Sequence, residues 1–242
     1  MRTTTFAATD TGLVRTGNED SAYRGETVVA VADGLGGHQA GEVASAIAIS
    51  AIAELDGREF ATPEDAREAL VGAILKGNLA ILEKATRDPD SWGMGTTMTA
   101  AALAGGRWAQ LAQVGDSRAY LMREGEELRQ VTDDQTIVGE LVRQGRLTRE
   151  EAAHHPQRSV VTRAVGLDPN LEVDTPDPIE LRPGDQLLLC SDGLTDAIDD
   201  ARIAEVLAAG LDGDTTCQAL IDAANAAGGP DNITVVLLRV TD

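Results

Sequence analysis

The sequence contains very few aromatic residues: two each of Trp, Tyr and Phe, or 2% of 242 residues. Proteins that bind single-stranded nucleic acid stack bases on such rings, so the composition argues against that class. Hydrophobic residues nevertheless reach 43% of the chain. The hydrophobic core must therefore be built from Ala, Val, Leu and Ile.

Basic residues are also scarce, because 20 Lys and Arg oppose 40 Asp and Glu and leave a formal charge of -20. Such a charge repels phosphodiester backbones and anionic lipid surfaces. We therefore expect neither nucleic acid nor membrane as a partner, and a two-metal nuclease is disfavoured because no basic groove is evident. Most of the carboxylates are expected to lie on a solvated surface and a few to bind metal.

Cysteines and long apolar runs are the remaining absences. Cys190 and Cys217 are the two cysteines, and they lack a Cys-x-x-Cys spacing, which excludes a disulfide framework and a structural zinc site. We expect both to fill the core. No apolar run approaches the roughly 20 residues of a membrane span, and the first residues lack the apolar stretch of a signal peptide. These absences predict a soluble, cytoplasmic protein.

Short apolar runs bounded by Gly, Asp or Pro predict strands. They are "TVVAVAD", "TTMTAAALAG", "WAQLAQVGDSRAYLM", "DQLLLCSD" and "NITVVLLRV". A stripe of Val43, Ile47, Ala51 and Leu55 predicts one helix, and "TPEDAREALVG" opens a second. Two further helices are predicted from "DARIAEVLAA" and "DTTCQALIDAANAAGG". Because regular βαβ alternation is absent, the order favours an α+β layered fold with mainly antiparallel sheets.

Aspartates recur where the predicted strands meet loops, at Asp20, Asp33, Asp116, Asp192 and Asp231. Carboxylates at close range oppose each other's ionisation unless a cation neutralises them. An all-carboxylate set favours Mg²⁺ or Mn²⁺ over zinc, while calcium takes the same oxygen ligands and stays open on this ground. A glycine follows two of these aspartates and allows a backbone carbonyl to approach the same site.

The flanking strings carry a resemblance to a known family. "RTGNED", "VADGLGGH", "WGMGTTMTA", "VGDSRAYL", "LLLCSDGLTD" and "GGPDNITVV" occur in this order across nearly the whole chain. Together they resemble the bacterial branch of the metal-dependent serine/threonine protein phosphatases, the type 2C or PPM family. The resemblance implies a four-layer αββα sandwich, with two antiparallel β-sheets flanked by helix pairs. It further implies that residues 1–242 form a single catalytic domain with a flap subdomain at about 133–166.

The resemblance also implies a set of metal ligands. The aspartate matching Asp33 bridges two metal ions, and the carbonyl matching Gly34 ligates one of them. Asp192 and Asp231 match the residues that hold the other ion, and Asp116 together with Asp192 matches the ligands of a weaker third. We therefore expect two or three Mg²⁺ or Mn²⁺ ions per chain.

Four more residues match functional positions of the family. Glu19 and Asp20 resemble the acids that position metal-bound waters. We count Glu19 among the metal-site residues and Asp20 among the catalytic residues. Arg15 matches the arginine that grips the substrate phosphate, and a guanidinium suits that role because it keeps its charge and can bind two oxygens at once. His38 is the candidate general acid that protonates the leaving alkoxide.

The resemblance implies a hydrolase that removes phosphate from phosphoserine and phosphothreonine by direct attack of a metal-activated water. It would act on phosphorylated proteins, including a serine/threonine kinase, as a monomer. One alternative is a catalytically weak regulatory relative, which loss of the metal aspartates would mark, and all of them are present. The other is a partner-switching phosphatase, but the "RTGNED" string fits the kinase-opposing branch better.

Overall fold

The computed structural model describes residues 1–36, 40–148, 151–152 and 155–242. Two five-stranded antiparallel sheets form the centre, in the strand orders β1-β12-β11-β8-β9 and β10-β7-β6-β3-β2, and a short ribbon pairs β4 with β5. The strands are β1 (Arg2–Asp10), β2 (Ser21–Arg24), β3 (Val28–Ala32), β4 (Gly34–Leu35), β5 (Gly95–Thr96), β6 (Met98–Ala104), β7 (Trp108–Val114), β8 (Arg118–Met122), β9 (Arg129–Gln130), β10 (Ile179–Glu180), β11 (Gln186–Cys190) and β12 (Ile233–Thr241). The helices are α1 (Ala40–Ala53), α2 (Pro63–Arg87), α3 (Ile137–Arg143), α4 (Asp192–Thr195), α5 (Asp200–Ala208) and α6 (Gly213–Ala226).

The layers follow from the two-residue period of the strands. In β3, Val28 and Ala30 pack against α1 and α2, whereas Val29 and Val31 pack against the opposite sheet. In β11 the period is the same, because Leu187 and Leu189 face the centre and Leu188 faces α5 and α6. Every one of these strand positions is buried, so both faces of each sheet are covered. The αββα sandwich is confirmed.

Capping residues in the sequence determine where the outer helices begin. Thr62 caps α2 through a capping box with Asp65, and Pro63 occupies the first turn. Asp199 and Asp212 cap α5 and α6 with their side chains, each accepting a hydrogen bond from a backbone N–H three residues later. Cys190 and Cys217 lie buried between α5, α6 and their sheet, as expected from the sequence.

Three sequence interpretations differ from the structure. The run "WAQLAQVGDSRAYLM" is two strands in different sheets, because the turn at Gly115 carries the chain from β7 to β8. The N-terminal strand β1 was not predicted, since its Thr-rich sequence lacks an apolar run, yet it pairs with β12 along its whole length. The predicted stripe of α1 is partly shifted. Ala51 is buried as expected, and Ala44, Ala48 and Ile52 form the rest of the buried face, whereas Val43 and Ile47 lie at its margin and Leu55 follows the end of the helix.

Residues 133–166 form an excursion whose two ends meet. Thr136 bridges Val161, and the Thr162 N–H donates to the Gln135 carbonyl oxygen at 2.7 Å. Its described residues, 133–148, 151–152 and 155–166, contain α3 and few buried side chains. Among the described residues, no helix is both long enough and apolar enough to cross a bilayer.

Candidate metal centre

Strand topology gathers the five aspartates at one end of the sandwich. Asp33 follows β3 and Asp20 precedes its partner β2, where Ser21 pairs with Ala32. Asp192 follows β11 and Asp231 precedes β12, and these strand ends lie together because the two strands are antiparallel. Asp116 lies in the β7–β8 turn, at the same end of both sheets.

Burial and mutual repulsion raise the pKa of four of these carboxyl groups. The pKa of Asp20 and of Asp192 rises to about 6, with burial as the main cause in both. The pKa of Asp33 rises well above its usual value through burial and the charges of Asp20 and Asp192, and its carboxyl group shares a hydrogen bond with Asp192. Burial and Asp192 likewise raise the pKa of Asp116. Each group is thus held where ionisation is costly without a cation.

The backbone around Asp33 is fixed by threonines of the neighbouring strands. Its N–H donates to Thr97 Oγ1 at 2.9 Å, and its carbonyl oxygen accepts from the Thr97 N–H and from Thr96 Oγ1, both at 2.8 Å. Thr97 Oγ1 also lies 2.7 Å from Ser117 Oγ, next to Asp116. The two aspartates are therefore joined through a buried hydroxyl pair.

Asp20 is held by a buried serine. Ser191 Oγ donates to its Oδ2 at 2.7 Å, and the same Ser191 oxygen accepts the Thr234 N–H. Its second oxygen, Oδ1, is buried without a hydrogen-bond partner in the described structure. A buried oxygen of this kind is costly unless a donor or a cation faces it.

Asn232 is a structural residue of the site to which the sequence interpretation gave no role. Its Oδ1 accepts the Glu19 N–H at 2.8 Å, and its Nδ2 donates to the carbonyl oxygens of Thr11 and Gly17, both at 2.9 Å. It thereby ties the "RTGNED" loop to the start of β12. The sequence offered one indication of this role, the position of Asn232 directly after Asp231. An amide side chain buried beside that residue must find hydrogen-bond partners.

Glycines next to the aspartates are required by space. A Cβ on Gly34 would overlap the carbonyl oxygens of Gly41 and Glu19. A Cβ on Gly193 would overlap the Asn232 carbonyl oxygen. The Asp-Gly pairs thus allow the loops to touch backbone to backbone, which is the close approach expected from the sequence.

Arg15 reaches the same end of the sandwich and forms an ion pair there. Its Nη2 donates to Asp231 Oδ2 at 2.7 Å, with side-chain exposures of 53% and 33%. Burial raises the pKa of nearby Glu19, and the charge of Arg15 opposes that rise. The positive group therefore lies beside the acidic cluster, at its solvent side.

The donor set fits hard divalent cations, although the side chains are not arranged as a finished metal site. In the described residues, no group of three or more His, Cys, Asp or Glu is close enough to hold an ion. The raised pKa values, the unpartnered Asp20 oxygen and the all-oxygen chemistry agree with a cation that draws the carboxylates inward. His38, the predicted general acid, lies outside the described residues.

Comparison with known proteins identifies close relatives. The sequence model of the family described as protein phosphatase 2C matches residues 16–221. The serine/threonine protein phosphatase PstP of Mycobacterium tuberculosis is 47% identical over 98% of this chain and 45% of its own length. The Listeria innocua serine/threonine phosphatase stp is 38% identical over 96% of this chain and 93% of its own length. The chain thus spans about half the length of the mycobacterial relative.

Solved structures show the same architecture. The crystal structure of M. tuberculosis PstP/Ppp superposes with a TM-score of 0.93 at 45% identity and covers 100% of both chains. A second structure, the PstP catalytic domain in complex with two manganese ions, gives a TM-score of 0.88 at 44% identity and covers 99% of both chains. With this sequence match and this fold, the chain belongs to the protein phosphatase 2C family.

Proposed function

We propose that this chain is a metal-dependent serine/threonine protein phosphatase that hydrolyses phosphoserine and phosphothreonine in proteins and opposes a serine/threonine kinase. The observation that carries the proposal is the group of buried aspartates at one end of the sandwich, whose pKa values are raised by burial and by each other. The names of the relatives and the manganese complex of PstP support it. We propose residues 1–242 as one catalytic domain with its flap at about 133–166.

Each site residue receives a role in this proposal. Asp33 and the Gly34 carbonyl would hold one Mg²⁺ or Mn²⁺ ion, and Asp33, Asp192 and Asp231 the second, with Asp116 and Asp192 available to a third. When bound, such ions activate water for attack on phosphorus and neutralise the charge of the phosphate.

The chain's own groups complete the chemistry. Asp20 is held by Ser191 with one oxygen free, so that it can accept a hydrogen bond from the attacking water. Glu19 would orient water at the rim, and Arg15 would bind two phosphate oxygens. We propose His38 as the acid that protonates the serine or threonine oxygen as it leaves.

The structure gives no specific support to a catalytically weak relative, because every predicted metal aspartate is retained. A partner-switching role would require a dedicated phosphoprotein rather than a kinase. Both alternatives predict little turnover of a general phosphopeptide.

Phosphate release from a phosphothreonine peptide tests the proposal. Release should require Mn²⁺ or Mg²⁺, stop with EDTA, and fall by at least about 100-fold in Asp33→Asn, because that substitution removes a shared ligand. Asp222→Asn, an exposed helical position of α6, should retain the wild-type rate. Metal-free Asp33→Asn should unfold at a temperature no lower than metal-free wild type, because a carboxyl group with a raised pKa destabilises the folded state when ionised. Metal-independent release, or full activity of Asp33→Asn, would overturn the assignment.

A further inference from the structure

Trp92 is an exposed aromatic side chain in a chain that has only two tryptophans. It is 83% exposed, the highest value among the large hydrophobic residues described as exposed. Leu167, at 51% exposure, lines the same depression as Trp92. Large apolar groups left in water together mark binding surfaces, and tryptophan is prominent among residues that dominate such contacts.

The depression is an apolar groove at the end of α2. Leu82, Ala85 and Thr86 of α2 line it, together with Pro89, Trp92, Gly93, Gly166 and Leu167. Its volume is about 780 Å³. All the described lining residues are uncharged, although a quarter of the chain is charged. The groove is therefore suited to an apolar side chain.

The segment 92–97 links the groove to the metal centre along the chain, with residues 94–97 buried beneath the surface. Thr96, four residues after Trp92, pairs with Gly34 across the β4–β5 ribbon and with Val165 on its other side. The next residue, Thr97, hydrogen-bonds the backbone of Asp33. Four residues span at most about 14 Å, so Trp92 lies within that distance of the backbone beside the aspartates. An extended peptide covers this distance in about four or five residues.

We propose that the groove beneath Trp92 binds an apolar side chain of the substrate polypeptide, within about five residues of the phosphorylated serine or threonine. The inference rests on the proposed function, because it is the chain of a protein substrate that must leave the metal centre along the adjoining surface. A peptide segment fits a groove bounded by one helix end and two turns. The groove would thus select among phosphorylated sites by their flanking residues.

The test compares two families of phosphothreonine peptides. In one, a single leucine or phenylalanine is moved through positions -5 to +5 in a Gly/Ser background, and in the other every flanking residue is Gly or Ser. With Mn²⁺ and the full chain, at least one apolar position should raise kcat/KM by at least about fivefold. In Trp92→Ala and Leu167→Ala, kcat/KM for the preferred apolar peptide divided by kcat/KM for the Gly/Ser peptide should fall towards one. Leu211→Ala, an exposed apolar residue of the α5–α6 loop, should preserve it.

Calorimetric binding of the same peptides to metal-free protein separates this inference from the proposed function, because binding needs no turnover. A Trp92-dependent preference in binding supports the groove even where the wild type releases no phosphate, which would overturn the proposed function alone. Metal-dependent turnover without any preference for apolar flanks overturns the groove alone. Two other results would also overturn it: an equal loss of kcat/KM for both peptide families in Trp92→Ala, or a dimer that Trp92→Ala dissociates, since a second copy would then be the occupant.

Discussion

At the scale of single residues, the site contains an ion pair between one of its acids and the arginine that is expected to bind phosphate. Arg15 pairs with Asp231, which the family resemblance implies to be a metal ligand. A cation bound at Asp231 and a phosphate bound at Arg15 would each replace one partner of this ion pair. The pair is partly exposed and is therefore worth at most about 1 kcal/mol. It can hold the two side chains in place without blocking either ligand.

Arg15→Ala should have opposite effects on substrate and metal. The Michaelis constant for a phosphopeptide should rise by about tenfold or more, with a smaller fall in kcat, because a charge-assisted contact to phosphate is lost. The Mn²⁺ concentration for half-maximal activity should fall, by up to about fivefold, because a competitor for Asp231 is removed. Steady-state kinetics over both concentrations measures the two effects.

The matched control is Arg107→Ala, which removes an exposed arginine paired with Glu180 at the other end of β7. It should change neither constant. An unchanged Michaelis constant in Arg15→Ala would contradict the assignment of the phosphate to this side chain.

At the scale of elements, local signals predicted the four longest helices and the strands β3, β6, β7, β8, β11 and β12, because caps and apolar runs are written in neighbouring residues. The short strands β2, β4, β9 and β10 and the one-turn helix α4 were not predicted. The β1 strand escaped prediction since its stability comes from pairing with β12, more than 220 residues away along the chain. The aspartates were predictable from their strings, whereas the Asn232 contacts to Thr11, Gly17 and Glu19 join distant segments that no local pattern relates. The split of β7 from β8 was missed because only three residues separate strands of different sheets.

The base of the 133–166 excursion depends on Gln135, a buried side chain that joins it to the Asp116 turn. Its Oε1 accepts the Gly115 N–H at 2.9 Å, and its Nε2 donates to Asp174 Oδ2 at 2.7 Å. Gln135→Ala should lower the free energy of unfolding by about 1–3 kcal/mol, because a buried N–H loses its acceptor. Amide exchange should accelerate in residues 115–117 and 160–162 more than in α6, which hydrogen-exchange mass spectrometry resolves.

Gln218→Ala supplies the comparison, because Gln218 is exposed on α6 and its side chain donates a hydrogen bond to Asp222. Its effect should stay within about 0.5 kcal/mol. Equal acceleration of exchange throughout the chain in Gln135→Ala would mean that the residue stabilises the whole fold rather than the joint between the excursion and the turn.

At the scale of the whole molecule, the fold concentrates its electrostatic cost at one end. The chain carries a charge of -20, yet most carboxylates lie in water, where they cost little. Asp20 and Asp192 are different, because their pKa rises to about 6 in the folded protein from about 3.9 in an unfolded chain. The folded state therefore holds more protons than the unfolded state between those values. Metal-free stability is greatest below about pH 4 for these groups and decreases as the pH rises through 6.

Stabilisation by Mn²⁺ should consequently increase with pH. Ions bind the ionised carboxylates and displace their protons, so protonation opposes binding below about pH 6. The difference in melting temperature between Mn²⁺ and EDTA samples, measured by calorimetry from pH 5 to 8, should be small at pH 5 and approach its maximum above pH 7. Asp222→Asn should reproduce the wild-type curve, while Asp192→Asn should lose most of the shift at every pH. If Mn²⁺ raised the melting temperature equally at pH 5 and pH 8, the ions would not be displacing protons from these buried carboxylates.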